Sequence, residues 1–170
     1  MSTLPIKLRI RTYGDPSLRR RAIPVKAVTD RERAVFKEMG ELMRLQGGIG
    51  LAAPQVGLCK QMILIDIGSG EVMLVNPKIV KRSGSEAFEE GCLSLPGVYV
   101  KVKRAKKVTV TGINEENEKV TICAEELFAR ALQHEIDHLR GRLIIDYASL
   151  LRRISLRKKL KNLTRELTDV

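Results

Sequence analysis

The stretch LQHEIDHLRG, residues 132–141, holds both histidines of the chain, His134 and His138, four residues apart with Glu135 beside the first. On a helix, residues four apart lie one above the other, so two imidazoles at this spacing present nitrogens to a single metal ion while Glu135 stands at the adjacent edge. A divalent ion held there lowers the pKa of a bound water, and a neighbouring carboxylate takes that proton and returns it to a leaving group. The plain alternative is a pair of histidines that pack or cap a helix in a charged segment. The metal reading needs a helix here and a third ligand, because catalytic sites of this kind use three protein ligands and keep one position open.

The surrounding sequence supplies the helix. Leu127, Phe128, Ala131 and Leu132 recur on one side of a segment running from about Ala124 to Arg140, and Gly141 follows its end. Upstream, residues 61–123 carry short β-branched runs, QMILIDI, VMLVNP, VYVKVKR, KVTVTGI and KVTICA, and GINEENEKV reads as the turn of a hairpin between the last two. Before these, VTDRERAVFKEMGELMRLQGG (28–48) predicts a helix. Thr29 and Glu32 form its capping box, Val35, Met39, Leu42 and Met43 its apolar face, and Gly47 and Gly48 its stop. The strands are too closely spaced for crossover helices throughout. The predicted class is α+β: mixed or antiparallel sheets around a central helix carrying H-E-x-x-H, followed by a C-terminal helix.

The chain of 170 residues fits one domain, 1–170, able to bury roughly 70% of the surface its unfolded form exposes. No apolar run approaches a membrane span, and the N-terminus MSTLPIKLRI has no continuous apolar segment of the secretory kind. The three cysteines are odd in number and widely separated, which argues against a disulfide framework and for a reducing cytoplasm. A net charge of +11 suggests a polyanionic neighbour.

The third ligand has several candidates. A histidine six residues after His138 would fall at position 144, which is Ile144, and a glutamate on a following helix finds no acidic residue from Ala148 to Thr164. A carboxylate elsewhere or a thiolate remains. Cys59 and Cys123 lie in apolar, strand-like surroundings and read as core residues. Cys92 sits in EEGCLSLPGV, after Gly91 and ahead of Pro96, a shaped segment in which core and ligand readings stand level. A glycine-rich turn, GGIGLAAPQVG (47–57), surrounds one glutamine and lacks the G-K-[ST] of a phosphate loop.

Taken together and in order, GIGLAAPQVG, EGCLSLP and QHEIDHLRG closely resemble the three signature motifs of the peptide deformylases. The resemblance extends through YGDPSLRRRA and GRLIIDYAS, covering about residues 8 to 150. It implies Cys92, His134 and His138 as ligands of one divalent ion, Fe(II) physiologically, with zinc, nickel or cobalt as replacements. Glu135 is then general base and acid, and the backbone N–H of Leu93 with the amide of Gln55 meets the developing oxyanion. Ile49, Gly50 and Gly91 offer backbone groups to an extended peptide. Glu90 pairs with Arg104 behind the cysteine segment. The implied reaction removes the N-formyl group from the initiator methionine of a nascent polypeptide, with formate released by a monomeric, cytoplasmic enzyme. A pocket for the methionine side chain is expected from Ile49, Leu127 and Ala131, with the head of Arg130 either reaching solvent or facing away.

Two other classes share some of these features. A zincin-like metallopeptidase has H-E-x-x-H but needs a third ligand not visible here, and an RNA-binding module would use the charge but has few stacking platforms at 4% aromatic content. The tail, 147–170, predicts a basic C-terminal helix. Leu156, Leu160, Leu163 and Leu167 form its stripe, and Arg153, Arg157, Lys161 and Arg165 an adjacent ridge. The resemblance implies that such a ridge meets ribosomal RNA near the exit tunnel, whereas a solvated face is the plain reading.

Overall fold

The computed structural model describes residues 7–165, so Leu167 and the last part of the predicted tail helix lie outside the described residues. Helix α1 (Asp30–Leu45) begins at the predicted capping box and ends at Gly47, whose φ of 65° is a left-handed conformation that glycine adopts without strain. Five antiparallel strands follow in one sheet, in the order β1 (Gly50–Ala52), β2 (Met62–Ile65), β3 (Val72–Ser83), β6 (Lys107–Ile113), β7 (Lys119–Glu125). A separate pair is formed by β4 (Glu86–Glu90) and β5 (Val100–Arg104). Helix α2 (Glu126–His138) follows β7, and α3 (Leu150–Arg165) closes the described chain.

The five-stranded sheet is covered on both faces. Met62 and Leu64 pack with Val35, Phe36, Met39 and Met43 of α1, whereas Ile63 and Ile65 pack with Ala129, Leu132 and Ile136 of α2. All four residues of β2 are therefore buried, and its sequence shows a continuous apolar run in place of alternation. The far side of α2 meets the smaller sheet, where Arg130 donates to the Val102 and Glu86 carbonyls, while Gln133 exchanges hydrogen bonds with both backbone groups of Ala105, in the link between β5 and β6, at 3.1 and 2.9 Å. The helix bearing H-E-x-x-H is thus central, as the sequence predicts.

Several local expectations are corrected. VMLVNP does not end at its proline: β3 shifts register between Val75 and Lys78, with Asn76 at φ 52°, and runs on to Ser83. Proline cannot donate to the ladder, and the irregularity accommodates it. The glycine-rich segment is strand β1 followed by a 3-10 turn, Ala53–Val56, rather than a turn alone. Helix α2 starts two residues late because Ala124 is still paired with Val108 in the sheet. Cys59 and Cys123 are exposed, not core. Cys123 pairs with Thr109 on an outward-facing position of β7, and Cys59 lies in the loop before β2. No helix among the described residues is long and apolar enough to cross a membrane.

Glu32 carries a pH signature. Burial, its largest single influence, pushes its carboxyl up, but hydrogen bonds from Lys60 at 2.5 Å and from Thr29 outweigh it and hold the pKa at about 2. A carboxylate depressed in the folded state stabilises above its unfolded pKa of 4.5 and loses that contribution as pH falls towards 2. Thermal unfolding of Glu32→Gln is expected to depend less on pH than the parent's across this window. Parallel pH profiles would show that the pair contributes nothing.

Candidate metal-dependent active site

The candidate site lies where α2, the free edge of β1 and the segment after β4 converge. Strand β1 is the outermost strand of its sheet, so one side of its backbone has no strand partner. Strand β4 ends at Glu90, and the chain then turns through Gly91 to place Cys92 against α2. The Cys92 sulfur lies 3.3 Å from His138 Nε2, which lies 3.2 Å from His134 Nε2. All three donor atoms fall within 4.8 Å of one another. A tetrahedral ion with bonds of about 2.0–2.3 Å separates its ligand atoms by roughly 3.3–3.6 Å, so this donor set fits one.

The histidines are oriented from behind. His134 directs Nδ1 at Glu90 Oε2, 3.1 Å away, which turns Nε2 towards the cluster. Glu90 is held by Arg104, which donates through Nε and Nη2 at 2.6 and 2.9 Å, and Arg104 also donates to Asp137 at 2.8 Å. The Glu90–Arg104 pair is almost fully buried, not a surface bridge. Burial raises the Glu90 pKa, but His134 and Arg104 more than reverse this and hold it at about 2. Burial drives His138 well below its usual value. In His134 the same effect is overcome by Cys92 and Glu90, so its pKa is raised.

Glu135 projects to the other side of the cluster. It is 4% exposed, its Oε2 has no hydrogen-bond partner among the described residues, and burial pushes its pKa up to about 7 against the pull of His134 and Arg104. A carboxyl near neutrality is poised to accept and release a proton. Gln55 is 1% exposed. Its Oε1 accepts from the Ala52 N–H at 2.8 Å, so its NH2 faces Ser94 Oγ at 3.3 Å and Cys92 at 3.5 Å. The Leu93 N–H lies in the turn after Cys92, within the same cavity lining as Gln55.

Gln55, Cys92, Leu93, His134 and Glu135 border a cavity of about 510 Å3. Ile49, Gly50, Gly91, Leu127, Arg130 and Ala131 all line it, so every predicted substrate-contacting residue is brought here. Three details differ from expectation. The Ile49 carbonyl is already taken by the Asp66 N–H at 2.9 Å. Leu127, in the first turn of α2, is half exposed at the cavity and not on the buried side of the helix. The Arg130 head neither reaches solvent nor turns away: it donates to Glu90 at 2.7 Å and to the Val102 and Glu86 carbonyls at 3.1 and 3.0 Å, and lies over the Phe88 ring.

Gly50 has a different reason from the one its sequence suggests. A Cβ there would collide with the Glu135 carboxyl before it met any substrate. Gly50→Ala is expected to displace Glu135 and reduce turnover at least about a hundredfold, the scale of a lost general base, with metal content unchanged. Kinetics beside metal analysis decides it, and near-parental turnover would refute the close packing.

Sequence reasoning missed Ser94, Asp137 and Tyr147, whose hydroxyl donates to Asp137 at 2.7 Å. Ser94 and Asp137 lie inside the quoted motifs, yet nothing in their spacing distinguishes them from surface polar residues. Tyr147 is brought in by tertiary structure alone.

An α+β fold whose central helix sets two histidines against a cysteine from a separate loop defines a class, the metal-dependent hydrolases bearing H-E-x-x-H. Residues 7–153 match the family described as Polypeptide deformylase. The peptide deformylase of Carboxydothermus hydrogenoformans is 49% identical over 135 residues, 79% of this chain and 89% of that one. For that of Pseudoalteromonas translucida the values are 44% over 157 residues, 91% and 94%. A crystal structure of a peptide deformylase from Legionella pneumophila superposes with a TM-score of 0.88 at 39% identity, covering 95% of this chain and 97% of that one. One from Synechococcus elongatus, in complex with actinonin, gives 0.86 at 39% identity, with 95% and 88% covered. The chain belongs to the polypeptide deformylase family.

Proposed function

We infer that the protein hydrolyses the N-formyl group from the terminal formyl-methionine of newly made polypeptides, releasing formate and a free amine. The observation that carries this reading is the approach of Cys92 to the two helix histidines, which supplies the third donor that a zincin-like peptidase would draw from elsewhere. Cys92, His134 and His138 would hold the ion, and once bound it supplies Lewis acidity and a water of lowered pKa. Glu135 takes the proton of the attacking water as the bond to the formyl carbon forms. The Leu93 N–H and the Gln55 amide meet the negative charge that develops on the formyl oxygen. Glu135 then delivers the proton to the amine nitrogen as the carbon–nitrogen bond breaks. The peptide lies extended beside the free edge of β1, between Gly50 and Gly91, with its methionine side chain among Ile49, Leu127 and Ala131. The test is formate release from a formyl-methionyl peptide by anaerobically purified protein. Cleavage of internal peptide bonds without formate would favour the peptidase.

Fe(II) is the proposed physiological ion, on family resemblance and because a thiolate with two imidazoles accepts iron, zinc, cobalt and nickel without strong selection. A cytoplasmic monomer is supported by three unpaired cysteines and by a donor set drawn from one chain.

Association with the ribosome is proposed through α3. Its leucine stripe, Leu156, Leu160 and Leu163, is buried, while Arg157 and Lys161 are exposed. Arg153 is instead bound to the Asp146 and Ala148 carbonyls, at 2.6 and 3.1 Å, and leaves the ridge. Reversing Arg157, Lys158 and Lys161 to glutamate is expected to weaken co-sedimentation with ribosomes at low salt while sparing a small formyl peptide. Undiminished co-sedimentation would leave the ridge a solvated face.

A further inference from the structure

We propose that a second cavity, behind α2, binds a small anion carrying two or more phosphoryl groups. The cavity, about 450 Å3, is bordered by Gln133, Ile136 and Asp137 of α2 and by Arg140 just past its end, whereas Arg130, Ala131, His134 and Glu135 border the first. At 3.6 residues per turn these sets lie on opposite sides of the helix.

The lining is rich in donors and poor in acceptors. Arg82, Lys103, Arg140 and Arg142 surround the opening, all exposed, and none forms a salt bridge among the described residues. Ser83 at the end of β3 and Ser85 in the turn before β4 add hydroxyls. The one carboxylate in the lining, Asp137, already accepts from Arg104 at 2.8 Å and from Tyr147 at 2.7 Å. Elsewhere on the surface cations stand beside acids, as in Lys107 with Glu125, Lys106 with Glu86 and Arg33 with Asp30.

Four like charges around one concavity repel one another, and an anion relieves that repulsion. A single carboxylate answers one of the four, whereas each phosphoryl group brings up to two charges and three acceptor oxygens and no requirement for an acceptor in return. The volume lies within the range of small-molecule sites. Arg104 lines this cavity and also holds Glu90, so an occupant sits one side chain from the group that orients His134.

The probe is inorganic tripolyphosphate, titrated calorimetrically into the metal-loaded protein at low salt. Because oligophosphates also chelate metal ions, an Arg82→Gln, Arg142→Gln double variant of equal metal content is titrated in parallel. The parent is expected to bind one tripolyphosphate per chain, and the variant at least about tenfold more weakly, as the loss of two charge-assisted contacts implies. Arg157→Gln, Lys161→Gln on α3 is expected to bind as the parent does. Equal affinity in parent and cavity variant overturns the proposal, and so does an equal loss in the α3 variant, which would mark diffuse charge. A single-stranded RNA oligomer that binds through Arg82 and Arg142 while tripolyphosphate does not would assign the surface to a nucleic-acid strand, and the small-anion site would fall.

Discussion

Glu135→Gln is expected to lose deformylation by about three orders of magnitude, near the middle of what a positioned proton shuttle contributes, while binding one metal ion per chain as the parent does. The two readouts separate because Glu135 lies outside the donor cluster and carries no hydrogen bond that supports it. The variant should also unfold at a temperature no lower than the parent. A carboxyl whose pKa burial lifts to about 7 is costly to keep charged in the interior, and a neutral amide of the same shape removes that cost. Near-parental formate release by Glu135→Gln, or loss of its metal, would break the assignment.

Substitution of Cys92 should be as damaging for a different reason. Cys92→Ala is expected to abolish activity together with stoichiometric metal, because two imidazoles remain where the fold supplies three donors. His134 stays fixed by Glu90, so weak residual binding is expected at high metal concentration only. The Fe(II) form of the parent should be the most active and should decay in air through oxidation of the iron or of Cys92, with nickel or cobalt forms lasting longer. A Cys92→Ala protein that retains its metal and activity would return the zincin-like reading, and an air-stable enzyme most active with zinc would contradict the iron proposal.

Much of this architecture is legible in the sequence, for reasons that differ from element to element. The start of α1 is fixed by local chemistry, Thr29 with Glu32, and local chemistry is what a sequence displays. The position of α2 follows because His134, Glu135 and His138 have meaning only on a helix. Strand β4 was missed because EAFEE is solvent-facing along most of its length and shows no apolar alternation. Cys123 reads as core because β-branched neighbours mark a strand without telling which of its two faces is covered, and Cys59 because its apolar neighbours belong to a loop and not to a strand. Gln133, Asp137 and Tyr147 form contacts between distant segments, and no spacing along the chain encodes those.

The dependence of the cavity rim on α3 has a consequence for how such enzymes diversify. Lys159 donates to the Gly97 carbonyl at 2.6 Å and Arg152 to the Tyr99 carbonyl at 2.9 Å, while Leu156, Leu160 and Leu163 pack with Leu95, Val98 and Val100. Gly97, Val98 and Tyr99 line the candidate active site, yet the family match ends at residue 153. The rim is therefore held from above by α3, by Arg152 within the matched residues and by Leu156, Lys159, Leu160 and Leu163 beyond them. Truncation after Leu151 would strip that suspension along with the basic ridge, so charge reversal is the cleaner probe of docking. Exchanging the tail between relatives should alter how the rim receives the second and third residues of a substrate while every group at the reacting bond stays the same, an interchangeable fitting on a constant reaction centre.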